Sequence, residues 1–318
     1  MRRLAWLIFA LITIQGVLPG SRAWAQNKGD RIPGNVGLHV GTQPPPGIYP
    51  GYLLWIYPTD TIKDADGNRI GSGQGGLTSV LHGALVSWVT PYMVAGGHVG
   101  GLFVLPFIRN RIQANALDVD TGLSLTDSIF TPINIGWHRP GADSVAAYSL
   151  YVPSGKFEAG GSDNSGLGMV GQELSFGTTG FFDERKLWHA AVNVAYEWHT
   201  KKNDVDLRVG EILTFEWGAG KTFYKKVDHP LPLVTNVGIV GYGQFKVTED
   251  SGSARLFQDI GKDRVYALGG EINVFIPQAG LTVIRRVIPE FGARLRTQGT
   301  TVSISLAYVA KSFIAKAP

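Results

Sequence analysis

The residues with the most chemical potential fall on alternate positions of strand-like stretches. In "WHAAVNVAYEWH" (188–199), His189, Asn193, Glu197 and His199 share one parity, and Trp188, Val192, Val194, Tyr196 and Trp198 share the other. A period of two marks a β-strand with unlike faces. The same rule puts Glu173, Arg208, Glu216, Glu271, Asn273, Arg286, Glu290 and Arg294 on the polar faces of other strands. Carboxylates, guanidinium groups and imidazoles aimed into one enclosed space select solutes by charge. The alternative is that they solvate that space and pair with one another.

Other chemistries fit less well. Glu197 and His199, neighbours on one strand face, can share a metal ion, but His189 as a third ligand would need cross-strand geometry. These three are read as ordinary lumen residues; no metal and no other cofactor is expected. "DADGN" (Asp64 to Asn68) resembles the start of a calcium loop, yet Gly75 stands where the twelfth-position Glu belongs, so a tight turn is expected instead. No G-x-S-x-G nucleophile signature occurs, and "HVGG" at His98 has no evident partner serine. The chain is not read as an enzyme. Cysteine is absent, which excludes disulfides, thiol catalysis and cysteine-ligated metal.

Twelve strands are expected to position these residues, at about 49–60, 77–90, 98–109, 127–138, 144–152, 168–180, 187–199, 207–221, 232–247, 264–276, 281–294 and 300–310. Parity is clean in several, such as Tyr266, Leu268, Ile272, Val274 and Ile276 opposite Glu271 and Asn273. It switches near Ile239 and Val240, as a bulge would produce. Glu211 and Arg285 fall on apolar parities, which implies a shifted strand or a place at a membrane interface. Connections alternate between long and short, with "KKVDHPLP" breaking the trend.

The bulk numbers narrow the class. The 318 residues are 44% hydrophobic and include 42 glycines, but mean hydropathy is only +0.05. Residues 1–25 read as a secretory signal peptide: Arg2 and Arg3, an apolar run from Leu4 to Ile14, and a small-x-small site ending at Ala25. Its removal takes away three of the 29 basic residues and no acid, leaving 26 against 25 acidic. That balance, with no basic block, argues against a nucleic-acid partner. After residue 25 no apolar run approaches the roughly 20 residues of a membrane helix. A membrane form must therefore be a closed barrel, because lipid satisfies no open sheet edge.

The expectation is an all-β, transmembrane, antiparallel up-and-down barrel over residues 48–318. A Gly/Pro-rich arm, residues 26–47, precedes it and could enter the lumen as a plug. The apolar face of 188–199 would meet outer-membrane lipid, with its tryptophans at the interfaces. The competing reading is a soluble β-sandwich.

The stretches "GTQPPPGIYPGYLLWIYPTDTIKDADG", "TPINIGWH", "YVPSG", "GIVGYGQFKVTEDSG", "ALGGEI" and "EFGARLRTQGTTVSISLAYV" resemble the meta-pathway phenol-degradation family of outer-membrane β-barrel transporters. The proline-rich opening is the most specific of them. The resemblance implies passive uptake of small hydrophobic or aromatic solutes across the bacterial outer membrane, with insertion by the barrel-assembly machinery. In place of the usual C-terminal aromatic, the chain continues "KSFIAKAP" past Tyr308; either Phe313 or an internal segment carries the assembly signal. An outer-membrane lipid hydrolase and a structural or adhesive surface barrel stand as alternatives.

Overall fold

A computed structural model describes residues 28–70, 75–114, 117–161, 163–254 and 262–313. The signal peptide read over residues 1–25 lies outside the described residues. Twelve long strands follow one another around a closed antiparallel barrel. They are β1 (Gly47–Thr59), β2 (Gly75–Val94), β3 (Gly97–Ala114), β4 (Ser128–His138), β5 (Ala142–Val152) and β6 (Gly171–Phe181). The other half is β7 (Trp188–His199), β8 (Ile212–Lys225), β9 (Leu233–Lys246), β10 (Arg264–Ile276), β11 (Leu281–Arg294) and β12 (Thr300–Tyr308). β12 closes on β1 with Trp55 opposite Ser303 and Leu53 opposite Ser305. Closure leaves neither strand a free row of N–H and C=O groups, the condition that lipid imposes.

The links at one end are residues 95–96, 139–141, 182–187, 226–232 and 277–280; those at the other are 60–74, 115–127, 153–170, 200–211, 247–263 and 295–299. All but the last of the second set are long. In outer-membrane barrels the long loops face outward and the short turns face the periplasm. Ala95 (φ 49°) and Gly96 (φ 78°) form a two-residue turn with both φ positive, the geometry that matches the twist of a hairpin. In the loop 60–74, Asp64 Oδ1 accepts the amides of Asp66 and Asn68, so "DADGN" is a tight turn. Beyond Tyr308, Lys311 and Ser312 continue the pairing along Ile48 and Gly47.

Outward side chains form an apolar surface. Leu174, Phe176, Val194, Phe215, Leu268 and Ile272 are exposed, while Ala191, Ala195, Glu173 and Glu271 on the opposite parity are buried. Trp188 and Trp198 sit at the two ends of β7, as an interfacial aromatic belt requires.

Three sequence expectations change. β8 begins at Ile212, not near 207. Leu207 and Val209 are buried, at 2% and 1% exposure, inside the loop 200–211. Their burial at the barrel mouth mimics strand alternation. Because β8 runs on to Lys225, the link 226–232 is short and the alternation of loops holds. β9 contains no bulge: its register against β8 and β10 is continuous. Ile239 points outward and Val240 inward, where Val240 joins an apolar cluster with Leu38. The change of apolar parity is an inner contact, not an extra residue. A register irregularity does lie between β10 and β11, where Gly292 takes φ 61°.

Candidate functional site

The barrel interior is crossed by the segment preceding β1. Its residues meet the wall in sequence order, from the long-loop end to the short-turn end. Near the loops, the Asp30 amide donates to Glu197 Oε1 and the Arg31 amide to Glu197 Oε2. The Arg31 guanidinium lies between two strands: Nη1 is 2.6 Å from Glu173 Oε1 on β6, and Nη2 is 2.8 Å from Glu216 Oε1 on β8. Glu216 Oε2 accepts the amides of Gly34 and Val36 at 3.1 and 3.3 Å. Glu271 Oε2 on β10 accepts the Leu38 amide at 3.2 Å and Arg286 Nε at 2.7 Å, and Arg286 Nη1 donates to the Asn35 carbonyl. Lower down, His39 stacks on His189 with ring centroids 4.2 Å apart. The Gly41 amide donates to Thr179 Oγ1, and Gln43 Nε2 donates to Asn134 Oδ1 and the His98 carbonyl.

The sequence explains this threading after the fact. Gly29, Gly34, Gly37 and Gly41 let the segment run close to the wall. A Cβ on Gly37 would strike Glu271 Oε2, and one on Gly41 would strike the backbone of Thr178. The segment's amides lack a strand partner and use inward carboxylates instead, which satisfies both sides of a buried contact.

Nine of the twelve residues picked from parity are inward and buried: Glu173, His189, Asn193, Glu197, His199, Glu216, Glu271, Arg286 and Glu290. Asn273 shares the inward parity of Glu271 and is partly buried. Two are elsewhere. Arg208 lies in the loop 200–211, exposed, with Nε donating to the His199 carbonyl; the strand expected to hold it starts only at Ile212. Arg294 is exposed because the irregularity around Gly292 shifts the parity above Glu290. Glu211 falls outside β8 and accepts a hydrogen bond from the Tyr196 hydroxyl, and Arg285 is exposed on the outer face, four positions from the short-turn end of β11.

Parity missed the partners that come from the arm, chiefly Asp30, Arg31, Leu38 and Gln43. The available signal was a Gly-rich segment carrying an Asp-Arg pair just before a barrel with many inward acids. It also missed Tyr57 and Tyr242, whose hydroxyls donate to the two oxygens of Glu290 at 2.6 and 2.8 Å. At the loop base, burial lowers the Lys202 ammonium to about 8, opposed by Asp30 and Asp127.

The opposite wall is different. On β1, β2 and β3 the inward positions include Gly51, Leu53, Trp55 and Tyr57, then Ser79, Leu81, Gly83 and Leu85, then Val104, Pro106 and Ile108, in register across the three strands, with Ser79 hydrogen-bonded to Asn110 toward the loop end. Trp55, Tyr57, Leu81 and Val104 are buried, with Ile32 of the arm packed against the Trp55–Tyr57–Leu81 cluster. Leu53, Leu85 and Ile108 point inward but stay only half-buried. The lumen thus has one charged side that holds the arm and one mainly apolar side whose Leu53, Leu85 and Ile108 stay half-buried.

The chain resembles the crystal structure of the COG4313 outer membrane channel from Pseudomonas putida F1, with a TM-score of 0.70 at 14% identity over 88% of this chain and 99% of that one. At that identity the likeness is one of fold. It also matches the β-domain of the Bordetella autotransporter BrkA, with a TM-score of 0.47 at 11% identity over 83% of this chain and 99% of the other. No curated protein matches the chain in sequence. A family match covers residues 59–306, most of the barrel, and the chain belongs to that family, described as "Putative MetA-pathway of phenol degradation".

Proposed function

We propose that the protein is a passive channel of the bacterial outer membrane for small hydrophobic compounds, aromatic ones among them. The observation that carries this reading is the apolar inner wall of β1, β2 and β3, with half-buried Leu53, Leu85 and Ile108 beside the arm. A hydrophilic-solute pore needs no such strip, whereas an apolar solute gains free energy by leaving water for it, at about 25 cal/mol per Å² of apolar area buried. The family description, with its reference to phenol degradation, and the likeness to an outer membrane channel support the same direction. Barrels of about twelve strands lie between those filled by their own side chains and those with a wide aqueous channel. His98, the one histidine next to a glycine pair, has its carbonyl engaged by Gln43, and nothing in that contact favours a hydrolase.

The test is entry of solutes into liposomes containing the purified protein. Phenol-like aromatics should enter faster than into empty liposomes, while sugars of similar size should not. Equal acceleration of both, or of neither, would refute the proposal.

A further inference from the structure

We propose that Asp30, Glu197 and His199 form a binding site for a divalent transition-metal ion of the zinc class, which fastens the arm to β7. One ligand atom from each of these residues lies within 4.8 Å of the others, at the long-loop end of the lumen. The site joins two parts of the chain, the arm through Asp30 and the barrel wall through Glu197 and His199.

Two features besides proximity point to a cation. The first is Asp30. Its side chain is only 2% exposed and its Oδ2, 4.0 Å from His199 Nε2, has no hydrogen-bond partner. A carboxyl oxygen buried in this way without a partner is costly until a proton or a cation meets it. Of the nearby cations, Arg31 is taken by Glu173 and Glu216, and Lys202, whose Nζ donates to the Leu167 carbonyl at 2.8 Å, acts on Asp30 only through space.

The second is the orientation of His199. Its Nδ1 faces the Val209 carbonyl at 3.3 Å, a contact that requires a proton on Nδ1. The neutral ring then presents the Nε2 lone pair, and that lone pair is aimed at Glu197 Oε1, 2.6 Å away. At that distance a proton joins the pair, and a metal ion bound to both would replace it, the two ligand atoms moving apart to a tetrahedral spacing of about 3.3 Å. A proton on Nε2 would serve Glu197 but leave Asp30 Oδ2 at 4.0 Å, beyond a hydrogen bond. A metal ion reached by all three serves every group. A backbone carbonyl holding the far nitrogen of a ligating imidazole is the usual outer-sphere arrangement.

The ligand chemistry sets the class. One imidazole nitrogen with two carboxylate oxygens suits zinc and its transition-metal neighbours better than calcium or magnesium, which take oxygen alone. Two carboxylates also balance a double positive charge. The niche is kept open by glycine: a Cβ on Gly171 would collide with Asp30 Oδ2, and one on Gly29 with Glu197 Oε1. His189 is not part of the site. It lies at the other end of β7, stacked on His39.

The experiment uses the full mature chain, free of any histidine tag, folded in detergent and stripped of metal. Calorimetric titration with Zn²⁺ should give one ion per chain. Asp30→Asn and His199→Gln should each weaken binding about tenfold or more, while His189→Gln should leave it unchanged. Heat-modifiable gel migration verifies that each variant is folded. If a variant does not fold, the wild-type chain still decides: Zn²⁺ must raise its unfolding temperature, and EDTA must reverse the rise. No zinc-dependent rise, binding that survives in folded Asp30→Asn and His199→Gln, or binding lost in His189→Gln would each overturn the proposal.

Discussion

The wall formed by β6 to β11 and the wall formed by β1 to β3 face the same lumen with opposite chemistry. The first presents Glu173, Glu197, Glu216 and Glu271, all nearly buried, and each accepts a hydrogen bond from the arm. The second presents Leu53, Trp55, Leu81, Val104 and Ile108, and its arm partner is Ile32. The difference shows how one segment can be held firmly without filling the barrel evenly. Charge-assisted hydrogen bonds fix the arm against one side. Apolar contact on the other side is non-directional, so a solute can replace part of it at little cost.

The most damaging change to this arrangement acts on the barrel that carries both walls. Val192→Arg places a cation on the outer face in the middle of β7. It should destabilise the inserted barrel by about 2–4 kcal/mol, seen as loss of the folded band on heat-modifiability gels. Asn193→Arg, one position along, points inward near Val40 and should leave the barrel assembled; equal loss of folding in both would contradict the assigned faces.

Removal of residues 26–46 separates the walls from the arm while sparing Gly47, where β1 starts. Glu173 and Glu216 would then lose their shared cation Arg31 and face water, while Glu271 keeps Arg286 and Glu197 keeps His199. Conductance in planar bilayers should rise severalfold and become cation-selective. An unchanged conductance in a correctly inserted barrel would mean that the arm does not restrict the lumen.

A finer cut on the charged side is Arg31→Ala. It leaves Glu173 and Glu216 without their shared cation, and breaking a buried pair in this way costs about 3–5 kcal/mol. That cost falls on docking of the arm, so limited proteolysis should cut the arm faster while the barrel stays resistant. On the apolar side, Leu53→Gln should slow aromatic entry into liposomes severalfold and leave ion conductance near its starting value. If Arg31→Ala slowed aromatic entry and Leu53→Gln freed the arm, the division of labour between the walls would be reversed.

Much of the barrel is readable in the sequence alone. The period of two, the strand count and the inward placement of His189, Asn193, Glu197, His199, Glu216 and Glu271 all follow from local alternation, because a strand's side chains have only two sides to choose from. Where the reading failed, a non-local contact had imitated that alternation or interrupted it. Leu207 and Val209 are buried by a loop, Val240 is apolar on the wet side because Leu38 packs nearby, and Arg294 turns outward past Gly292.

The chain by itself therefore determined which residues could share a face, and that the membrane form had to close. It did not determine what fills the enclosed space. Glu197, Glu216 and Glu271 lie between 166 and 233 residues away in sequence from the arm amides that reach them; no local rule links groups so far apart. Only closure of the barrel around the arm brings Asp30 to His199 and Arg31 between Glu173 and Glu216, because burying those charges becomes tolerable once they meet one another away from water.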